Sequence, residues 1–160
     1  MILGSCLTAG CAANDSSPGP ASLGFSASRR VVIVGENVRE DIALYYQKKY
    51  DALVWFTPYK GHVAKNADNI LASGIGPSRA MRALMKELRS INDTAGRWEI
   101  IVPKIAENYF YAALKHLGAS ALSKTRGSVV LIDSSDNPDM EAEVRKVTDG
   151  NFVVSYEFRK

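Results

Sequence analysis

Val31-Val32-Ile33-Val34-Gly35-Glu36-Asn37-Val38-Arg39 decides the fold. Four β-branched residues in a row, with no polar residue between them, mark a strand buried on both faces. Helical spacing takes over at once. From Arg39 to Tyr50, the residues Ile42, Tyr45, Tyr46 and Tyr50 fall on one face of a helix. The alternation then continues. Ala52–Thr57 is a second strand, stopped by Pro58. A long connection over residues 59–76 holds a short helix at Ala64–Ser73, with Gly74 as its C-cap. Pro77 opens the clearest helix of the chain, because Met81, Leu84, Met85, Leu88 and Ile91 define one apolar face. Arg97–Val102 is a third strand and Ala106–Leu117 the next helix. Ser128–Ile132 is another doubly buried strand. Asn137-Pro138 then caps a helix that runs through Val147. Phe152–Phe158 alternates apolar and polar, as an edge strand does. Strands and helices in this order predict an α/β fold, a three-layer α/β/α sandwich of Rossmann-like type. Its five-stranded sheet is mostly parallel, with the last strand at an edge in either direction.

The chain has 160 residues, 46% of them apolar, and a formal net charge of +3. That is one domain, residues 29–160, large enough to bury a core without disulfides or metal. No run of 18 apolar residues exists, so a transmembrane helix is not expected. The mildly basic balance permits contact with anionic surfaces but falls short of a nucleic-acid footprint, and no nucleic-acid partner is expected. Residues 12–28 are dominated by Ser, Gly, Pro and Ala and cannot offset their ordering entropy by burial. They read as a flexible linker spanning on the order of 20–25 Å. Both cysteines, Cys6 and Cys11, precede the globular part, which leaves it without thiolate chemistry or a Cys-based metal site.

Leu7-Thr8-Ala9-Gly10-Cys11 resembles the lipobox of bacterial lipoproteins. Leucine stands one place further out than usual, and Met1–Gly10 contains no Lys or Arg. The resemblance implies that residues 1–10 are a partial signal peptide whose start lies upstream. Cys11 then becomes the lipidated first residue, and 11–28 a lipidated tether. With Ala12 after the cysteine, it implies an outer-membrane lipoprotein facing the periplasm. The alternative is a cytoplasmic chain with a polar tail.

Ligands of open α/β sheets bind beyond the carboxyl ends of the strands. Those ends carry Glu36, Asn37, His62, Lys104, Asp133 and Asp136, which are the candidate ligand-binding residues. The loop after the first strand lacks the glycines of a dinucleotide fingerprint, and no Walker A lysine exists. Ser73-Gly74-Ile75-Gly76 could cradle an anion at a helix N-terminus, but a C-cap followed by an N-cap explains the same glycines better. Pro138–Glu143 resembles part of the metal-binding motif of Toprim domains. However, Asn137 stands where the first motif aspartate belongs, and Asp139 and Glu141 suit the start of a helix. No metal, cofactor or catalytic residue is assigned. Arg79, Arg82, Lys86 and Arg89 form a basic stripe on the polar face of the Met81–Ile91 helix and are the candidate partner-binding residues. These features favour a lipid-anchored protein acting as a non-catalytic binding or assembly module of an envelope complex of the secretion, conjugation or pilus type. The membrane and a protein of the cell envelope would be its partners. The alternative is a small-ligand-binding or enzymatic protein that works through the strand-end crevice.

Overall fold

The computed structural model describes residues 29–60 and 76–158. Cys11, the tether, His62 and the helix expected at Ala64–Ser73 lie outside the described residues. Strands β1 (Arg29–Val38), β2 (Leu53–Pro58), β3 (Arg97–Pro103), β4 (Arg126–Ile132) and β5 (Phe152–Glu157) form one sheet in the order β2-β1-β3-β4-β5. Every neighbouring pair is parallel, β5 included. The helices are α1 (Glu40–Tyr50), α2 (Arg79–Asn92), α3 (Glu107–Leu117) and α4 (Pro138–Thr148), with a 3-10 turn at Lys104–Ala106 leading into α3. Parallel neighbours need crossover connections, and these put helices on both faces. Here α1 covers one face, while α2, α3 and α4 cover the other. The result is the three-layer, doubly wound sandwich that the alternation predicts.

Burial follows the sequence pattern. Val32, Ile33, Val34, Ile100, Ile101 and Val102, at the centres of β1 and β3, are each at most 1% exposed. Burying one such side chain contributes roughly 1.5–3 kcal/mol before entropy is counted. On α2, Met81, Leu84, Met85, Leu88 and Ile91 are all buried. The helix starts later than Pro77 suggests. Ser78 is its N-cap, and the hydroxyl of Ser78 accepts the Met81 N–H at 3.0 Å. A hydroxyl that satisfies an orphan donor outweighs a proline whose φ merely permits the first turn. Asn137 caps α4 in the same way, accepting from Met140 N–H at 3.0 Å. On α1 the inward residues are Ala43 and Tyr46, and Tyr45 is left 47% exposed.

The end of β1 departs most from the sequence reading. The strand does not stop at Val34 but runs to Val38 through two register shifts against β2, one on each side of Gly35. Its pairing with β3 covers only Arg29–Val32. The β3–β4 ladder, by contrast, continues to Pro103 and Ile132. Beyond Val32 the bulged end of β1 therefore stays with β2, and a gap opens towards the end of β3.

Candidate ligand crevice at the ends of the parallel strands

That gap lies where the winding reverses, because β1 leads into α1 on one face and β3 into α3 on the other. Such a switch point is where doubly wound sheets hold their ligands. A crevice of about 450 Å³ lies over the end of β1 beside the gap, with Glu36, Asn37, Arg39, Tyr59, Ile105 and Tyr109 among its walls. The backbone of β1 is shaped for it. Gly35 has φ +99° and Asn37 has φ +53°. Glycine takes a positive φ without a Cβ penalty, and asparagine tolerates it better than most residues. The Asn37 N–H donates to the Thr57 hydroxyl at 3.1 Å, which ties the bulge to the end of β2.

Between the two unusual residues, Glu36 is half-buried and held from both sides. Its Oε1 accepts hydrogen bonds from the Ser78 hydroxyl of the α2 cap and from the Tyr109 hydroxyl of α3. No described residue donates to Oε2. The Tyr109 ring stacks on Trp55, with centroids 5.8 Å apart. Burial pushes the Tyr109 phenol far above its ordinary value, and the charge of Glu36 and the bond to it add to the rise. Tyr109 therefore stays protonated and remains a donor.

Lys104 belongs to a second cluster. Its ammonium meets Glu107 Oε2 at 2.8 Å, and Ser134 Oγ donates to the same oxygen at 2.7 Å. Asn137 Nδ2 donates to Oε1 at 2.6 Å. Glu107 is only 5% exposed. Burial alone would push its carboxyl up. The bonds from Lys104, Ser134 and Asn137, with the charge of Lys104, outweigh that and hold it below the ordinary value. A third link joins Asn137 N–H to the Tyr156 hydroxyl at 2.9 Å, and that hydroxyl donates to Glu141 at 2.7 Å. This cluster locks the start of α3, the β4–α4 loop and β5 together.

The structure thus divides the candidate residues. Glu36 and Asn37 line the crevice, whereas Lys104 is engaged with Glu107. Asp133 is half-buried at φ +55°, with its N–H on the Glu157 carbonyl at 2.8 Å. Asp136 is exposed in the same loop. Sequence reasoning missed Ser78, Tyr109, Glu107 and Ser134. Ser78 did carry a signal, a capping residue directly before an apolar periodic run. The others become visible only once strand order brings their elements together. Arg79, Arg82, Lys86 and Arg89 are all exposed on α2, and Arg82 donates to the Pro77 carbonyl at 2.7 Å. Among the described residues, no group of three or more His, Cys, Asp or Glu is placed to hold a metal ion, and no helix is long and apolar enough to cross a membrane.

Ser134 is fully buried and donates to a carboxylate, so it presents no nucleophile. Ser78 spends its hydroxyl on Glu36 and on the cap of α2. What lines the crevice is a positioned carboxylate whose Oε2 accepts from no described residue, set among aromatic and aliphatic side chains with Asn37 and Arg39 beside them. Comparison with protein-family models, with curated proteins and with solved structures finds no match to this chain.

Proposed function

We propose that this chain is a binding protein that takes a small polar ligand in the β1–β3 crevice, with Glu36 as the group that orients it. One observation carries the reading. At the switch point of the sheet, Glu36 is fixed through Oε1 by two hydroxyls while Oε2 accepts no hydrogen bond from a described residue. A half-buried acceptor left open in a concave, largely apolar site calls for a ligand O–H or N–H. The test is a nuclear magnetic resonance screen of the full chain against small compounds carrying hydroxyl or amino groups. Binders should shift the resonances of Gly35, Trp55 and Ile105, and Glu36→Ala should abolish their binding with the fold intact. Binders that persist in Glu36→Ala, or a screen in which none shifts the crevice residues, would reject the reading.

Two features supply the proposed setting. The lipobox-like Leu7–Cys11 favours an outer-membrane lipoprotein, with the domain held off the membrane by residues 12–28. Expressed with its leader, such a protein partitions into detergent and labels with palmitate. Cys11→Ala abolishes both and Cys6→Ala neither, so equal labelling of the two variants would exclude the anchor. A protein partner in the cell envelope, which would make the chain an assembly module, is favoured by the α2 stripe. Its four cations are exposed, no acidic residue lies in the first turn of α2, and no ion pair engages them among the described residues. A helix start without acids, and a row of like charges three and four residues apart, both cost stability, and an acidic partner would offset that cost.

A further inference from the structure

Resting on the crevice as a ligand site, we propose that the ligand is a phosphomonoester of a hydroxylated ring compound. Its apolar ring occupies the β1–β3 crevice, its hydroxyls meet Glu36, and its phosphate enters a second cavity beyond that carboxylate. The second cavity measures about 380 Å³ and is lined by Glu36, Thr57, Lys60, Ser78, Arg79 and the small residues of the first turns of α2. Glu36 is therefore a wall common to two adjoining spaces. Each lies towards the small end of the range for ligand sites, and a ligand that bridges them gains from both.

The two spaces differ in chemistry. On the crevice side Tyr59, Ile105 and Tyr109 offer rings and aliphatic surface, which suits an apolar ring, while the one cation on its wall among the described residues, Arg39, is engaged by Asp41 at 2.8 Å. On the other side Lys60 and Arg79 offer cations, and Thr57 and Ser78 offer hydroxyls. Both cations are exposed, and neither is in an ion pair among the described residues. An arginine fork beside a lysine matches a phosphate better than it matches a neutral group. Glu36 does not bar the phosphate. Two cations outnumber it, and its Oε1 is covered by two hydroxyl donors. Its Oε2, which accepts from no described residue, needs a donor, which a phosphate dianion lacks and a neighbouring hydroxyl supplies. A ring, a hydroxylated spacer and a phosphate, in that order, satisfy all three surfaces at once.

The test uses the full chain and three probes: adenosine 5′-monophosphate, adenosine and ribose 5-phosphate. Trp55, stacked on Tyr109, reports crevice occupancy by fluorescence once the only other tryptophan is changed to phenylalanine. The monophosphate should bind roughly tenfold or more tighter than adenosine, a ratio worth about 1.4 kcal/mol. It should also bind tighter than ribose 5-phosphate. Arg79→Ala and Lys60→Ala should each bring the monophosphate towards the adenosine level while leaving adenosine unchanged. Glu36→Gln should weaken both. The phosphate increment should shrink as salt rises, because both cations are exposed. Equal binding of monophosphate and adenosine, or monophosphate binding indifferent to Arg79→Ala, overturns the phosphate inference and leaves the crevice reading standing. Failure of all three probes also overturns it, and the broader compound screen then decides the crevice separately.

Discussion

Glu36 and Glu107 invite comparison. Glu36 lies in the last residues of β1 and Glu107 just past the end of β3, both accept hydrogen bonds from hydroxyls, and both sit near the start of a helix. Glu107 is 5% exposed, and both of its oxygens are engaged, by Lys104, Ser134 and Asn137. Glu36 is half-buried, with two donors on one oxygen and none from a described residue on the other. The first carboxylate is closed within the protein and holds three segments together. The second is held firmly and left unfinished. Counting engaged lone pairs, rather than acidic residues at strand ends, separates a structural carboxylate from one that faces a ligand.

The comparison breaks first at Glu107. Glu107→Ala strands the buried Ser134 hydroxyl and the Asn137 amide, so it should cost about 3 kcal/mol in urea denaturation. A loss under about 0.5 kcal/mol would mean that the cluster does not lock the loop. The same residue sets a pH dependence. Its carboxyl is held below the ordinary 4.5, so the folded chain takes up that proton less readily than the unfolded chain. The stability it contributes is fully present above that value and is lost as pH falls through the lower folded one. Glu107→Gln should flatten this acid limb, and an unchanged limb would assign it to other groups.

Gly35→Ala tests the bulge next to Glu36. A Cβ there meets Ala106 and Tyr109 at an ordinary 3.9 Å, so the cost is backbone strain at φ +99°. That is about 1–2 kcal/mol, read from the midpoint of unfolding. A neutral result would show that β1 can relax out of the bulge. Glu36→Ala should cost about 1 kcal/mol, because Ser78 and Tyr109 lose an acceptor but are only partly buried. It should nevertheless remove ligand binding. A stability loss as large as that of Glu107→Ala would place the two carboxylates in one class. Smallest is the α2 stripe. Arg82→Glu with Lys86→Glu should change stability by no more than about 0.5 kcal/mol, since both are exposed. Capture of an acidic partner should still fall, most visibly at low salt.

Much of the fold is legible because burial on two faces and burial on one leave different marks. Val31–Val34 and Ser128–Ile132 announce central strands, Phe152–Phe158 an edge, and the five apolar residues of α2 a helix against the sheet. Strand order is not legible. Nothing in the composition of β3 says that it pairs with β1 over four residues and then parts from it. Glu36 and Asn37 were readable as site residues from their place after a buried strand. Tyr109 and Ser78, which hold Glu36, lie 73 and 42 residues further along the chain. Their role exists only after α2 and α3 are laid on the same face. Lys104 is engaged by Glu107, three residues on, and is not among the residues lining the crevice.

The early end of the β1–β3 ladder at Val32 has a consequence for how such a protein diversifies. Beyond it the ladder has no further rung, so the walls of the crevice there are set by side chains, those at 59, 105 and 109 among them. On the proposed reading, replacing those side chains would change which molecules the crevice admits while every rung of the sheet stays in place. Scaffold and selectivity would thereby be uncoupled, so that ligand preference could change without a change of fold.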